Sequence, residues 1–138
     1  MSLEKENRSR DYLYGRLLAV AERIERVALS VGGENRITSV ERYFQRFADK
    51  PFSTWRIIEM SLRPYKERLL VKRGGFLTNR EKDIQEIMDL FATETFSDDR
   101  KLSGEFLLGY HSQKMYDRKI NDIDNKNTED KDELEQED

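Results

Sequence analysis

Hydrophobic and polar positions recur along the first part of the chain with the period of an α-helix. Over residues 5–30 the apolar side chains are spaced alternately by four and three residues, which places them on one stripe of a helix. These residues are Leu13, Leu17, Val20, Ile24 and Val27. The "VGG" at residues 31–33 predicts the end of this first helix, because glycine readily adopts the left-handed conformation that follows a helix C-cap.

A capping box predicts the start of the second helix. Thr38 and Glu41 have the spacing at which the side chain of each residue can satisfy a backbone N–H near the other. The apolar face that follows, at i, i+3, i+4 and i+7, is made of Val40, Tyr43, Phe44 and Phe47. The "DKP" that comes next is predicted to end this helix at Pro51.

The third helix is predicted to run from around Ser53 to the "RGG" at residues 73–75. Its inward-facing residues are Trp55, Ile58, Leu62, Tyr65 and Leu69. Pro64 falls inside this pattern and predicts a kink or a broken helix, because proline removes one helical hydrogen bond and clashes with the preceding turn.

Two more helices complete the predicted set. A second capping box, Thr78 with Glu81, is expected to open the fourth helix. Its buried face consists of Ile84, Ile87, Met88 and Phe91. The fifth helix is predicted over about residues 101–118, with apolar contacts from Phe106, Leu107 and Tyr110. Gly109 in its middle is unfavourable for a helix, and close approach of a neighbouring helix would explain it.

Composition favours an all-α fold, since the 138 residues include only 2 prolines and 7 glycines and are rich in helix formers. We predict one compact bundle of about five helices over residues 1–119. Residues 120–138 have almost no apolar side chains with which to offset the entropy of ordering, so a disordered tail is predicted there.

The chain also lacks the features of a membrane or secreted protein. No stretch approaches the roughly 20 apolar residues of a membrane span, and the N-terminus has no signal-peptide pattern. Cysteine is absent, which excludes disulfides and fits a reducing cytoplasm. We therefore expect a cytoplasmic protein without membrane partners.

Charge is distributed unevenly along the chain. Residues 1–80 hold 17 Lys and Arg against 10 Asp and Glu, a balance of +7. Residues 120–138 hold 2 against 9, a balance of −7. The folded part is thus basic in its first half, and the acidity is concentrated in the predicted tail.

Few residues suit catalysis. His111 is the only histidine, so two-histidine metal sites and relays are excluded. The glycine pairs in "VGGEN" and "KRGGF" match no phosphate-binding fingerprint and read more simply as helix ends. We expect neither enzyme activity nor a metal or cofactor.

The basic residues suggest a nucleic-acid surface instead. Some have a carboxylate three or four residues away on the same helix, as Arg26 has in Glu22, and are explained as surface pairs. Those that we singled out as locally unpaired, and hence as candidate nucleic-acid-binding residues, are Arg16, Arg23, Arg42, Lys66, Arg68, Lys72 and Arg73. Pairing with carboxylates from elsewhere in the fold, or simple solvation, is the alternative. Helices 2 and 3 could also form a helix-turn-helix, a DNA-binding motif, although Pro51 stands where such motifs usually have a short turn with glycine.

Three blocks of sequence, in order, resemble a known family. They are "YLYGRLLAVAERIERVAL", "NRITSVERYFQRFADKPFSTW" and "FLLGYHSQK". They are similar to the C-terminal region of the type I-C CRISPR large subunit, which is also made separately as a small subunit of the interference (Cascade) complex. The resemblance covers about residues 11–118. A chain that begins just before "YLYGRLL" looks like that small subunit.

The resemblance implies a non-catalytic helical subunit of a guide-RNA surveillance complex in antiviral defence. Its expected partners are the large subunit, the backbone subunits, further copies of itself and target DNA, with guide RNA as another candidate. Such a subunit is expected to bind the DNA backbone and stabilise the unwound target and its displaced strand. DNA cleavage and reading of the short flanking motif would fall to other proteins.

Two alternatives remain at this point. The chain could be a purely structural adaptor that docks onto protein neighbours through Trp55, Phe52, Phe76 or Tyr116, although Trp55 also fits a core position. The acidic tail either keeps the protein soluble or masks the basic surface until DNA arrives.

Overall fold

The computed structural model describes the backbone of residues 2–129 and the side chains of residues 2–119. These residues form five α-helices and no strand, which confirms the predicted all-α bundle. The helices are α1 (Arg10–Val31), α2 (Ser39–Asp49), α3 (Pro51–Lys72), α4 (Gly74–Leu90) and α5 (Glu105–Glu129). No helix in this described part is both long and apolar enough to cross a membrane.

Helix α1 is the centre of the bundle and packs against each of the other four helices. The predicted apolar stripe faces the core, with Leu13, Leu17 and Ile24 fully inaccessible and Val27 partly buried. Burial is not confined to that stripe, because every residue from Tyr12 to Glu22 is buried. The predicted apolar stripe therefore accounts for only part of the buried surface of α1. The buried polar residues of α1 must find hydrogen-bond partners inside the fold.

The ends of α1 follow local rules. Ser9 is the N-cap and accepts a hydrogen bond from the backbone N–H of Tyr12, so the helix starts later than predicted. The "VGG" segment ends it as expected, with Gly32 as the C-cap and Gly33 at a positive φ of 69°.

Helices α2 and α3 are separated by Lys50 alone. The predicted capping box of Thr38 and Glu41 is confirmed at the start of α2. Pro51 is the first residue of α3, where its missing N–H costs nothing. Helix α3 then continues through Pro64, so the predicted break is wrong. Pro64 is exposed, which lets water satisfy the carbonyl that the proline leaves without a donor.

The start of α4 also differs from the prediction. Arg73 alone separates α3 from α4, and the glycines of "RGG" open α4 rather than only ending α3. The expected capping box at Thr78 is wrong, because Thr78 and Glu81 are exposed residues inside the helix. Nothing lies within 4 Å of where a side chain would start at Gly74 or Gly75. A side chain would therefore fit at either position, and neither glycine has a positive φ.

Helix α5 crosses α1 with the two backbones in contact. A methyl group at Gly109 would lie 2.1 Å from the Tyr12 carbonyl oxygen, and one at Gly15 would lie 2.1 Å from the Phe106 carbonyl oxygen. This confirms that Gly109 permits close approach of a neighbouring helix. Leu107, predicted to face inward, is 44% exposed, because it lies on the side of α5 that faces away from α1.

Helix α5 is longer than predicted and reaches Glu129, so its backbone includes the first residues of the predicted tail. Residues 130–138 lie outside the described part of the chain. Disorder of the tail stays a prediction there.

Candidate nucleic-acid interface

A cleft of about 420 Å³ opens where the C-terminal half of α1 faces the start of α4 and the middle of α5. We call it the basic cleft, because five cations and only two carboxylates line it. The cations are Arg23, Arg26, Arg73, Lys114 and Arg118. The carboxylates are Glu22 and Asp117, and the remaining lining residues are Ala19, Val27, Ser30 and Phe76.

Helical spacing explains how distant parts of the chain meet in this cleft. On α1, Glu22, Arg23 and Arg26 recur at three and four residues and so share one face. On α5, Lys114 and Arg118 are four residues apart and face α1. The basic cleft is therefore a product of the packing of α1, α4 and α5 rather than of any one segment.

Phe76 organises the arginines on one side of the basic cleft. The Arg23 guanidinium carbon lies 5.3 Å from the centre of the Phe76 ring, and that of Arg73 lies 5.6 Å from it. Arg80 approaches the same ring at 5.1 Å. Each contact is within the range of a cation–π interaction, so the Phe76 ring holds three guanidiniums close to it.

Glu22 organises the cations on the other side. Its buried carboxylate accepts a hydrogen bond of 2.5 Å from the Tyr110 hydroxyl. It also pairs with Lys114 at 3.2 Å and with Arg26 at 3.5 Å. Burial, together with the hydrogen bond to Glu22 and the charge of Glu22, raises the pKa of Tyr110, so the phenol remains a donor. Glu22 thereby orients Lys114, which is still 39% exposed. It shares Arg26, which is 57% exposed, with Glu41 of α2, whose carboxylate is closer at 2.6 Å.

Asp117 is the second carboxylate of the basic cleft. Burial raises its pKa above the ordinary value, although a hydrogen bond from Gln113 and the charge of Arg23 act in the other direction. The Gln113 amide donates to Asp117 at 2.9 Å, and an Arg23 nitrogen lies 4.0 Å away. The electrostatic balance of the cleft is positive even with both carboxylates ionised, because five cations face two carboxylates.

The seven predicted binding residues do not form one surface. Arg23 and Arg73 line the basic cleft. Arg16 does not extend their stripe, because it is only 6% exposed and its side chain donates to the Gln113 side-chain oxygen at 2.8 Å. Arg42 and Lys72 are exposed and lie outside the cleft.

Lys66 and Arg68 have partners that are distant in the sequence. Lys66 pairs with Glu81 at 3.4 Å. Arg68 donates to the Ala28 carbonyl oxygen at 2.8 Å and pairs with Glu34 at 3.1 Å, so it ties α3 to the end of α1. Both residues lack a carboxylate three or four positions away on their own helix, and the alternative of pairing with groups from elsewhere in the fold applies to them.

Sequence reasoning did not assign the cations Arg26, Lys114 and Arg118 to the candidate surface, and it named Phe76 only as a docking aromatic of the adaptor alternative. Arg26 was assigned to a helix-surface pair with Glu22, which the structure confirms, yet the pairing leaves its side chain largely exposed. The four-residue spacing of Lys114 and Arg118 was the one local signal available for α5.

The aromatic residues proposed as docking contacts of an adaptor do not share one exposed surface either. Trp55 is 1% exposed and belongs to the core, so it offers no docking surface. Phe52 is half-buried, and Tyr116 contacts Lys5 at 2.9 Å through its hydroxyl. Among the described residues, no group of three or more His, Asp or Glu side chains could hold a metal ion.

Comparison with known protein families identifies the chain more closely. The family model of the CRISPR-associated protein Cas_Csd1 matches residues 1–116. The chain belongs to the Cas_Csd1 family. The Cas_Csd1 match covers α1 to α4, the first half of α5 and every lining residue of the basic cleft except Asp117 and Arg118. No curated protein matches the chain. Cas_Csd1 membership confirms the coarser part of the resemblance, that this is a CRISPR-associated protein.

Proposed function

We propose that this Cas_Csd1 family member is a non-catalytic small subunit of a type I-C guide-RNA surveillance complex, in which it holds unwound target DNA. On this proposal the basic cleft binds the phosphate backbone of the strand that the guide displaces. The type I-C assignment rests on the three sequence blocks that resemble the C-terminal region of the large subunit.

One observation carries the DNA-binding part of the proposal: five cations from separate segments converge on a single cleft in a chain whose formal net charge is −3. Phosphate contacts supply sequence-independent affinity, because each neutralised phosphate releases condensed counterions. That suits a subunit which must hold any target, since the guide itself reads the sequence.

Electrostatic preorganisation supports the same proposal. Glu22 and Phe76 position cations at the basic cleft before any ligand arrives, so less side-chain entropy is lost on binding. The partners in this proposal are the large subunit, the backbone subunits, further copies of the chain and target DNA. Cleavage of DNA is assigned to a different protein.

Neutralising two rim cations tests the proposal. In the reconstituted guide-loaded complex, we expect Arg26→Ala with Arg118→Ala to weaken retention of a matched duplex and to shorten the lifetime of the open strand. If each arginine contacts one single-strand phosphate, the slope of log affinity against log salt should fall by about 1.4. Affinity titrations at several salt concentrations measure this slope.

A matched double variant controls for net charge. Arg46→Ala with Arg56→Ala removes the same two charges from exposed positions outside the basic cleft, and it should leave retention and slope unchanged. Equal losses in both double variants, or no loss in the cleft variant, would contradict the assignment of the cleft.

A structural adaptor is the second candidate, and a specific observation favours it. Large apolar side chains are exposed outside the basic cleft, on α5 at Leu107, Leu108 and Met115 and on α3 at Met60, Leu70 and Val71. Exposed apolar residues of this kind are typical of protein contacts. If the complex needs the chain for assembly, yet retains DNA with little salt dependence and no effect of the cleft variant, the adaptor is the better description.

A further inference from the structure

The lining of the basic cleft differs from that of a surface which contacts phosphates alone. Its volume of about 420 Å³ falls in the range of clefts that enclose small organic ligands. Apolar atoms of Ala19, Val27 and Phe76 contribute to its walls, between the charged groups. A phosphate group would use the cations and would leave this apolar space unfilled.

The cations of the basic cleft lie at different depths. Arg26 and Lys114, held by Glu22, are 57% and 39% exposed and so stand at the rim. The Arg23 side chain is only 19% exposed, and its guanidinium lies against the Phe76 ring. Arg73 is also half-buried on that ring. The result is an outer layer of accessible charge and an inner layer of arginine on an aromatic ring, which we call the arginine–Phe76 layer.

These two layers match the two parts of a nucleotide. Phosphates meet accessible cations, whereas bases stack on aromatic rings and on the planes of arginine side chains. A base in a duplex is already paired and stacked, so only an unpaired strand can turn a base into a cleft without further cost.

We propose that the basic cleft takes up one unstacked nucleotide of a DNA single strand, with its base against the arginine–Phe76 layer and its flanking phosphates at the rim. The inference rests on the proposed function, since it assumes that the cleft binds the displaced strand. It adds that the contact is made to a base as well as to the backbone. Binding would then be indifferent to sequence but sensitive to whether bases are present.

Two oligonucleotides with the same number of phosphates separate base contact from backbone contact. One is an ordinary single strand of about 10 nucleotides, and the other is the same backbone without bases. With the full chain we expect the ordinary strand to bind about 5- to 150-fold more tightly, which corresponds to roughly 1–3 kcal/mol for one stacked base. Fluorescence anisotropy of labelled strands measures both affinities.

Phe76→Leu links that difference to the basic cleft. Leucine keeps most of the apolar volume but removes the ring, so the ratio of the two affinities should fall towards one. Tyr65→Leu is the matched control. The Tyr65 ring also lies under two guanidiniums, those of Arg36 at 5.4 Å and Arg68 at 5.6 Å, but it is outside the cleft. This variant should keep the ratio of the unmodified chain.

The outcomes distinguish this inference from the proposed function. Equal binding of the two strands by the unmodified chain, with a salt dependence that Arg26→Ala and Arg118→Ala reduce, overturns the base contact and leaves backbone binding standing. A ratio that Phe76→Leu does not change also overturns it. If neither strand binds, both the inference and the DNA-binding part of the proposed function fail.

Discussion

Asp99 illustrates how a single residue stabilises a helix from a distance. Helix α3 begins without a local side-chain cap, since Lys50 at its N-cap position makes no such hydrogen bond. Asp99 replaces it from the connection between α4 and α5 by accepting the backbone N–H groups of Phe52 at 2.9 Å and Ser53 at 3.2 Å. It also accepts the Ser53 hydroxyl. Its carboxylate thus serves as the N-cap of a helix that begins 48 positions earlier in the chain.

Removing this remote cap should destabilise the whole protein. We expect Asp99→Ala to lower the free energy of unfolding by about 1–2 kcal/mol, because two backbone N–H groups of α3 lose their acceptor. Asp99→Asn keeps a neutral acceptor and should cost less. Urea unfolding at neutral pH, followed by circular dichroism, measures both changes.

Glu94 provides the control for that measurement. It is an exposed carboxylate in the same connection, and Glu94→Ala should change the free energy of unfolding by no more than about 0.5 kcal/mol. Equal stability of Asp99→Ala and the unmodified chain would mean that water replaces Asp99 without loss.

At the residue scale, the sequence predicted the groups whose partners are local and missed those whose partners are remote. The capping box of Thr38 and Glu41 needs only three residues and was confirmed. Arg16 was predicted to face phosphates, but its partner Gln113 is 97 positions away. Periodicity within one helix cannot reveal such a partner, because the partner depends on how two helices cross.

At the scale of elements, the crossing of α1 and α5 depends on two glycines. Gly15 and Gly109 each lie against the backbone of the other helix, where a methyl group has no room. Backbone atoms cannot move aside as the end of a flexible side chain can. The two helices must therefore separate if either glycine gains a side chain.

Alanine substitutions test this contact. We expect Gly15→Ala or Gly109→Ala to lower the free energy of unfolding by at least about 1–3 kcal/mol, despite the better helix propensity of alanine. Gly75→Ala is the control, since nothing lies within 4 Å of its added methyl group. This variant should be more stable than the unmodified chain by about 0.4–1 kcal/mol. Thermal and urea unfolding of the three variants would contradict the close contact if all of them gained stability.

The number and order of the helices followed from the sequence, whereas several of their ends did not. Apolar spacing identified all five helices because each must bury one face. The "TNRE" segment matches the sequence pattern of a capping box. The helix α4 already begins at Gly74, however, so Thr78 lies inside it. Pro64 was expected to kink or break α3. The helix is not broken there, because Pro64 lies on the solvent side, whereas Leu62 and Leu69 hold the helix to the core.

At the scale of the whole molecule, three acidic residues hold the connection between α4 and α5 against the bundle. Asp11 of α1 accepts the backbone N–H of Ser103 at 2.7 Å and pairs with Arg10. Arg10 in turn donates to the Asp98 carbonyl oxygen at 2.8 Å. With the contacts of Asp99 to the start of α3, these bonds tie the connection to the N-terminal ends of both α1 and α3.

The protein should therefore lose stability in acid. Burial acts to raise the pKa of Asp11, but hydrogen bonds from Ser103 and the charge of Arg10 outweigh it, so the pKa lies below its usual value of 3.8. A carboxyl whose pKa is lower in the folded state stabilises the fold above its unfolded pKa. That contribution should disappear as the pH falls below about 4 and passes through the folded pKa.

Asp11→Asn measures this contribution. The variant should be less stable than the unmodified chain at neutral pH, and the difference should vanish as the pH approaches about 2. Asp49→Asn, which changes an exposed carboxylate at the end of α2, is the control at neutral pH and should change the free energy of unfolding by no more than about 0.5 kcal/mol. A difference between Asp11→Asn and the unmodified chain that stays constant with pH would show that the lost hydrogen bonds matter and the charge does not.

The candidate site was predictable only in part, because the packing of the whole molecule assembles it from distant segments. The excess of basic residues in the first half of the chain pointed to a cationic surface and included Arg23 and Arg73. The basic cleft also needs Lys114 and Arg118, from the other end of the chain. Only the packing of α5 against α1 brings these residues together.

The same packing of α1 against α5 sets the order of events during synthesis. Helix α1 leaves the ribosome before the other four helices of the bundle, yet one of its faces is covered only when α5 emerges. Until then the nascent chain exposes the apolar residues that α5 will cover, and a chain that stops short of Gly109 cannot complete the core. We expect the nascent bundle to depend on a chaperone, or on its assembly partners, in the interval between the synthesis of α1 and that of α5.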